Sequence, residues 1–191
     1  MNDTVLWYTT RGAGAVSLIL FSAVVVLGIL ASVRVQSAAW PRFLTTGLHR
    51  NLALLAVVFL GLHIVTAVVD PFVSLGFGAA AIPFSSPYRR LWLGLGVVAL
   101  DLFLAIVITS LMRPLLGHRA WRAVHWLAYM SWPVAVIHGL GTGSDSRQMW
   151  MLAIDVACMA TVVGAVALRL TQRQGDMLSA STSHTAGAVD G

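Results

Sequence analysis

The chain has 191 residues, of which 58% are hydrophobic and 10% are charged, and its formal net charge is +5. A soluble domain usually carries about 25% charged residues, and so few charges cannot cover a surface that faces water. The chain also has a single cysteine. The composition therefore excludes a soluble enzyme, a disordered regulator and a disulfide scaffold, and it predicts a small integral membrane protein.

Charged residues divide the chain into five apolar stretches, each close to the ~20 residues that a helix needs to cross the hydrocarbon core. In chain order they are residues 12–33, 51–69, 91–112, 123–144 and 148–168. None shows the alternation of apolar and polar residues that marks the ~10-residue strands of a membrane barrel. The predicted fold is an all-α integral membrane protein, a bundle of five transmembrane helices.

The segments outside these stretches complete the predicted domain organisation. Residues 1–11 contain no basic residue before Arg11, and no signal-peptide cleavage site follows the first apolar stretch, so we expect an external N-terminus before a retained span. Residues 12–170 form the transmembrane domain. Residues 171–191 are rich in Ser, Thr, Ala and Gly, which predicts a disordered cytoplasmic tail.

The arginines predict the orientation of the chain. Eight of the twelve fall on one side of the bundle: Arg34, Arg42, Arg50, Arg113, Arg119, Arg122, Arg169 and Arg173. Because basic residues accumulate on the cytoplasmic side, we expect a multi-pass protein of the plasma membrane with its N-terminus outside and its C-terminus in the cytoplasm. Since the arginines punctuate apolar runs and form no polar face, we expect contact with membrane lipid and no nucleic-acid partner.

Four of the six histidines form a matched pattern. His49 and His63 lie fourteen residues apart around the second stretch, and His125 and His138 lie thirteen residues apart around the fourth. Successive spans cross the membrane in alternating directions, so the helices of the second and fourth stretches run parallel. The two pairs therefore lie at matching depths. A histidine in a membrane helix is costly and usually faces the protein interior. The pattern predicts an inner level with His49 and His125, and an outer level with His63 and His138.

Each level offers two imidazoles, which suits haem better than a bare metal ion. Fourteen residues of helix rise ~21 Å, so the histidines of one helix cannot share an ion through bonds of ~2 Å. Two ligands are too few for zinc, which binds about four, whereas two axial imidazoles complete a haem iron. Two stacked b-type haems are therefore predicted. A spacing of thirteen misses the same helix face by ~140°, so we expect span four to depart from ideality, with a kink at Pro133.

The residues around these histidines resemble a known family. The segments 46–51 (TGLHRN), 61–63 (GLH), 121–125 (WRAVH) and 137–139 (IHG) look like the ferric reductase-like transmembrane domain. That domain is shared by ferric reductases, NADPH oxidases and the membrane subunit of the methionine-sulfoxide reductase system, and the resemblance covers about residues 12–170. It implies that electrons cross the bilayer and that four residues are the haem-iron ligands: His49, His63, His125 and His138.

The predicted function is that of an oxidoreductase-type electron-transfer subunit, a diheme b-type cytochrome. Ferric reductases and oxidases continue into a cytoplasmic flavin- and NAD(P)H-binding domain, whereas about twenty residues follow span five here, too few for a nucleotide-binding unit. We therefore expect a separate flavoprotein or a membrane quinol as donor and an external protein as acceptor, so that flavin or quinone comes from a partner or the membrane. The alternative is a non-redox membrane protein, a small transporter or assembly partner, whose histidines bind protons or transition metals.

Charged residues near the predicted haems have two interpretations each. Arg50 and Arg122 lie close to the inner ligands and are candidate cofactor-binding residues, pairing with haem propionates, or they are orientation signals only. Asp101 and Asp155 lie inside spans three and five, where an acid is costly unless it is paired or neutral. Asp101 either relays a proton from a quinol or caps a buried polar contact, and Asp155 is similar but shallower.

Two glycines adjoin the outer ligands in the sequence. Gly61 lies two residues before His63, and Gly139 directly follows His138. Because glycine has no side chain, these positions are expected to make room for a porphyrin.

Overall fold

The computed structural model describes residues 2–33, 41–70, 76–142 and 148–187, and within these ranges every regular element is a helix. In chain order the helices are α1 (Asn2–Ser32), α2 (Arg42–Val69), α3 (Phe77–Ala81), α4 (Arg90–Leu111), α5 (His118–His125), α6 (Ala128–Thr142) and α7 (Met149–Gly187). Four of these helices contain a segment long and apolar enough to cross a membrane: Val5–Ser32, Phe43–Val69, Arg90–Leu111 and Met149–Gln172. The protein is an all-helical, multi-pass membrane protein.

The predicted fourth span is broken in two. Helix α5 ends at His125 and α6 begins at Ala128, and the 15 residues of α6 are shorter than the ~20 that cross a bilayer alone. At the junction the Leu127 N–H donates to Val124 O (2.9 Å) and the Met130 N–H donates to Leu127 O (3.0 Å). These i→i+3 bonds wind the chain more tightly than an α-helix, which adds rotation in the direction that the thirteen-residue spacing requires.

The break does not lie where the sequence predicts a kink. It lies at residues 126–127, whereas Pro133 is inside the continuous helix α6. The tight turn, with its own hydrogen bonds, supplies the departure from ideality before the chain reaches the proline.

Three helices extend beyond the apolar stretches that predict them. Helix α1 begins at Asn2 and α2 begins at Arg42, because backbone hydrogen bonding continues beyond the apolar stretch. Helix α7 continues to Gly187, whereas the sequence predicts a disordered tail from residue 171. Residues 149–187 contain no proline to stop that helix. Arg34 of the orientation pattern and residues 188–191 lie outside the described ranges.

Helix α1 is the centre of the bundle. It packs along α2 and also contacts α6 and α7, while α4 packs against α6. A buried cluster joins α1, α6 and α7 and consists of Val25, Ile29, Trp132, Val136, Val162 and Ala165. Two hydrogen bonds fix α6 laterally: Trp132 Nε1 donates to Ser22 Oγ (2.9 Å), and Ser131 Oγ donates to Ala99 O (3.0 Å). Because α2 packs chiefly on α1, a gap remains between α2 and the α5–α6 segment.

Candidate functional site

Across this gap the structure brings four histidines together as two pairs. The ring centres of His49, on α2, and His125, at the end of α5, lie 6.1 Å apart, with their planes inclined by 57°. The ring centres of His63, on α2, and His138, on α6, lie 6.5 Å apart, with their planes inclined by 75°. The two levels are separated by fourteen residues of α2, or ~21 Å. We call these pairs the inner pair and the outer pair.

The separation within each pair suits two axial ligands of one metal. With metal–nitrogen bonds of ~2 Å on opposite sides, and each ring centre ~1.1 Å behind its nitrogen, the centres of two axial imidazoles lie ~6.2 Å apart. The observed 6.1 Å and 6.5 Å bracket that value. In the described part of the chain, no three His, Cys, Asp or Glu side chains converge as ligands for a metal ion. Each level therefore presents a two-imidazole donor set.

Main-chain carbonyls fix the tautomer of three of these histidines. The Nδ1–H groups donate to carbonyls of the neighbouring helices: His49 to Val24 (3.0 Å), His63 to Thr10 (2.9 Å) and His138 to Trp92 (2.8 Å). A carbonyl oxygen only accepts, so the proton of each neutral ring lies on Nδ1. The Nε2 lone pair is then left for a metal, and a hydrogen bond at the other nitrogen is the usual way in which proteins orient a ligating imidazole.

His125 is held differently. Its Nδ1 is buried and has no hydrogen-bond partner, and its ring stacks on the indole of Trp121, with ring centres 4.9 Å apart and planes inclined by 29°. The indole in turn donates from Nε1 to Ser110 Oγ (3.3 Å), and the Arg113 guanidinium lies 4.4 Å from the indole centre. A stack of planar groups therefore orients the fourth imidazole.

A cavity of 480 Å³ lies at the outer pair, with His63 and His138 in its walls. Its volume is in the range of cofactor and ligand sites. Phe21 and Phe103 also line it, with ring centres 5.2 Å apart in an edge-to-face arrangement. Thr10 Oγ1 is a buried hydroxyl in this wall without a hydrogen-bond partner. The donor pair, the apolar walls and the unsatisfied hydroxyl fit a large, flat, mainly apolar group such as a porphyrin.

The arginines near the two pairs have different surroundings. Arg50 follows His49 directly, Arg122 lies one turn before His125, and both side chains are exposed. At the outer level Arg11 lines the cavity, and its guanidinium lies 5.0 Å from the centre of the Trp7 ring. Cationic side chains thus lie at both ends of the gap.

Of the two intramembrane acids, Asp155 is buried and Asp101 is exposed. Asp155 is 3% exposed and lines the outer cavity. Asp101 is exposed and does not line the cavity, whereas six other residues of the same helix do: Leu93, Gly96, Val97, Ala99, Leu100 and Phe103. An exposed Asp101 does not cap a buried polar contact, because helix phase turns its side chain away from that wall.

The glycines that contact the histidines are not those that the sequence singles out. A Cβ built at Gly61 or Gly139 would meet no atom within 4 Å, whereas Cβ atoms at three other positions would touch a histidine ring. These three positions are Gly14, Gly28 and Gly96. The sequence does hold a signal for two of them, because Gly14 and Gly28 are fourteen residues apart, the same spacing as His49 and His63.

The described part of the chain thus places paired imidazoles on two levels of one helical bundle. The family described as ferric reductase like transmembrane component matches residues 13–139, about two thirds of the chain, and all four histidines lie within the match. The chain belongs to this family, and the resemblance noted in the sequence is confirmed. No curated protein and no solved structure matches the chain.

Proposed function

We propose that this protein is a diheme b-type cytochrome that carries electrons across the membrane. The observation that carries the proposal is the two histidine pairs, whose ring centres lie 6.1 Å and 6.5 Å apart across one gap. Two axial imidazoles saturate a haem iron, which favours electron transfer over oxygen binding. The donor is a cytoplasmic flavoprotein or a quinol, and the acceptor is an external protein.

In this proposal each residue of the site has one task. The b-type haems supply the one-electron ferric/ferrous couple. His49 and His125 would hold the inner haem, and His63 and His138 would hold the outer haem, with Nε2 the nitrogen left for the iron in His49, His63 and His138. Carbonyl bonds keep three of the four rings in the tautomer that ligation requires. Arg50 and Arg122, cationic groups beside the inner pair, are the proposed partners of its propionates.

The α5–α6 segment is the proposed fifth crossing, which together with the four long helices makes a five-helix bundle around two stacked haems. Its outer half, α6, is fixed in the bundle by Ser131, Trp132 and Val136, all of which are buried. The tight junction at residues 126–127 lets His125 and His138 face the same gap despite their thirteen-residue spacing. The fifth crossing is therefore not one continuous, ideal helix.

The direct test is the haem content of the purified, full-length protein. We expect two haems per chain by pyridine haemochrome assay, a reduced-minus-oxidised α-band and two midpoint potentials in a redox titration. Bis-imidazole ligation also predicts low-spin ferric signals by electron paramagnetic resonance. A protein purified from haem-supplemented cells without an α-band would overturn the proposal and favour a non-redox membrane protein whose histidines bind protons or transition metals.

The orientation proposed is N-terminus outside and C-terminus in the cytoplasm of the plasma membrane. It rests on the accumulation of arginines in the connections after the first and third apolar stretches and after the last. A protease-sensitive tag fused after Gly191 should stay intact when protease is added to whole spheroplasts, and it should be cleaved after lysis. Cleavage from outside would invert the proposed electron path.

A further inference from the structure

Three glycines lie directly against three of the four paired histidines. A Cβ built on Gly96 would lie 2.5 Å from His138 Cε1, and one built on Gly14 would lie 3.0 Å from His63 Nδ1. A Cβ on Gly28 would lie 3.4 Å from Cε1 of His49, which is ordinary contact. The tolerance for a side chain therefore increases from Gly96 to Gly14 to Gly28.

Each of these glycines lies four residues after a carbonyl that accepts a histidine Nδ1–H. The carbonyl and glycine pairs are Thr10 with Gly14, Val24 with Gly28 and Trp92 with Gly96. A helical side chain leans toward the N-terminal end of its helix and covers the preceding turn. A residue four positions after a carbonyl is therefore placed to cover it, and a glycine there leaves the carbonyl oxygen open to a neighbouring helix.

We propose that Gly14, Gly28 and Gly96 are positioning residues for the haem ligands. Each opens one helix carbonyl to the Nδ1–H of a histidine, which fixes the tautomer of that ring and directs Nε2 into the gap. The inference rests on the proposed function, because it treats the histidines as ligands. It goes further by assigning the orientation of three ligands to positions outside the ligand helices.

The fourth ligand shows what happens where the pattern stops. On α1 the two glycines are fourteen residues apart, and fourteen residues after Gly96 on α4 lies Ser110. Ser110 accepts the Trp121 indole N–H, and that indole stacks on His125. A side-chain stack thus takes the place of the carbonyl bond, and Nδ1 of His125 has no partner.

The two modes of support have different electronic consequences. An Nδ1–H···O=C bond makes an imidazole a more basic ligand, which stabilises ferric over ferrous iron. Loss of that bond should therefore raise the midpoint potential of the haem concerned and should also loosen its binding. Substitutions that remove a hydrogen bond to a ligating imidazole weaken metal sites by about 10- to 100-fold.

The experiment compares Gly96→Ala and Gly14→Ala with Gly12→Ala and Gly164→Ala in the full-length protein. Gly12 lies on the same helix as Gly14 and Gly164 lies on α7, and a Cβ at either position meets no atom within 4 Å. Haem content, both midpoint potentials and the ferric low-spin signals are measured, together with thermal unfolding. We expect Gly96→Ala to bind the outer haem about 10- to 100-fold more weakly. Gly14→Ala should retain more haem, with a raised outer midpoint, an altered outer low-spin signal and an unchanged inner centre.

Alanine has a higher helix propensity than glycine. In the absence of haem, these variants should therefore unfold at no lower temperature than the haem-free wild type. Wild-type content, midpoints and low-spin signals in both test variants would overturn the inference while leaving the diheme proposal intact. Equal haem loss in test and control variants would overturn it too. A wild-type protein without haem would instead overturn the proposed function itself.

Discussion

The inner and outer pairs each consist of two imidazoles, but the imidazoles are supported in different ways. At the outer pair both imidazoles donate to helix carbonyls, at 2.9 Å and 2.8 Å, and a cavity of 480 Å³ adjoins them. At the inner pair His49 has such a bond (3.0 Å), but His125 relies on the indole of Trp121. His125 ends an eight-residue helix just before the break. An imidazole on a long packed helix is oriented by a neighbouring backbone, whereas one beside a break depends on nearby side chains.

Removing the ligands tests whether the two levels are independent, and it should have the largest effect. His49→Ala and His125→Ala should each lose about one haem of two, from the inner level only. His63→Ala and His138→Ala should lose the outer haem, because the levels are ~21 Å apart and have separate ligands. Transmembrane electron flow should stop in all four variants.

Haem counts with redox titration identify the centre that each variant has lost. His184→Ala is the control, because His184 lies near the C-terminal end of α7, beyond the apolar segment that ends at Gln172, and it should be dispensable. If His49→Ala matched His138→Ala, the pairing of levels would be wrong. Full haem content in all four variants would refute the assignment of the ligands.

Replacing the indole sharpens the contrast between the two levels. Aromatic pairs contribute about 0.5–1.5 kcal/mol beyond their buried area, so Trp121→Leu should weaken retention of the inner haem by about 2- to 12-fold. Trp121→Phe keeps an aromatic ring and should retain more of the inner haem than Trp121→Leu. The rate of haem transfer to apomyoglobin measures both effects, with Trp150→Leu, at an exposed site on α7, as control. An equal loss from the outer level would show that the stack does not act on His125 specifically.

Neutralising the arginines beside the inner pair tests whether their charge contributes to a difference in midpoint potential between the two levels. Arg50→Gln and Arg122→Gln each remove a cation beside the inner pair, which should lower the inner midpoint potential because reduction adds negative charge. Both side chains are exposed, so the shift should be small and should shrink as salt is raised. Redox titration at two ionic strengths measures it, and Arg119→Gln, at another exposed site on α5, should have no comparable effect. A shift confined to the outer midpoint would contradict the assignment.

The smallest effect is expected at Ser110. Ser110→Ala removes the acceptor of the Trp121 indole bond, which is long at 3.3 Å, and a neutral hydrogen bond contributes about 1 kcal/mol or less. Release of the inner haem should therefore accelerate by about 5-fold or less. Thr109→Val is the matched control, because the Thr109 hydroxyl donates within its own helix to Ala105 and Ile106. Identical release from Ser110→Ala and the wild type would remove Ser110 from the support of His125.

Much of the fold follows from hydropathy read along one chain. The apolar stretch 91–112 matches α4 almost residue for residue, and the second and fifth stretches lie within α2 and α7 apart from one residue before Met149. The histidine spacing also predicts which imidazoles meet, because depth in a bilayer is proportional to position along a helix. Charges mark the boundary of the apolar core but not the end of a helix, which is why α1 and α2 begin earlier than predicted.

The sequence by itself determined a helical membrane protein with two levels of paired histidines, since both follow from one-dimensional spacing and composition. Only the tertiary structure decided how the rings are held, because a carbonyl bond to a histidine requires two helices to approach across a glycine. The same holds for Asp155, whose burial depends on its neighbours and not on its depth. It holds as well for the turn at residues 126–127, where local hydrogen bonding adds rotation that the spacing of the histidines alone does not reveal.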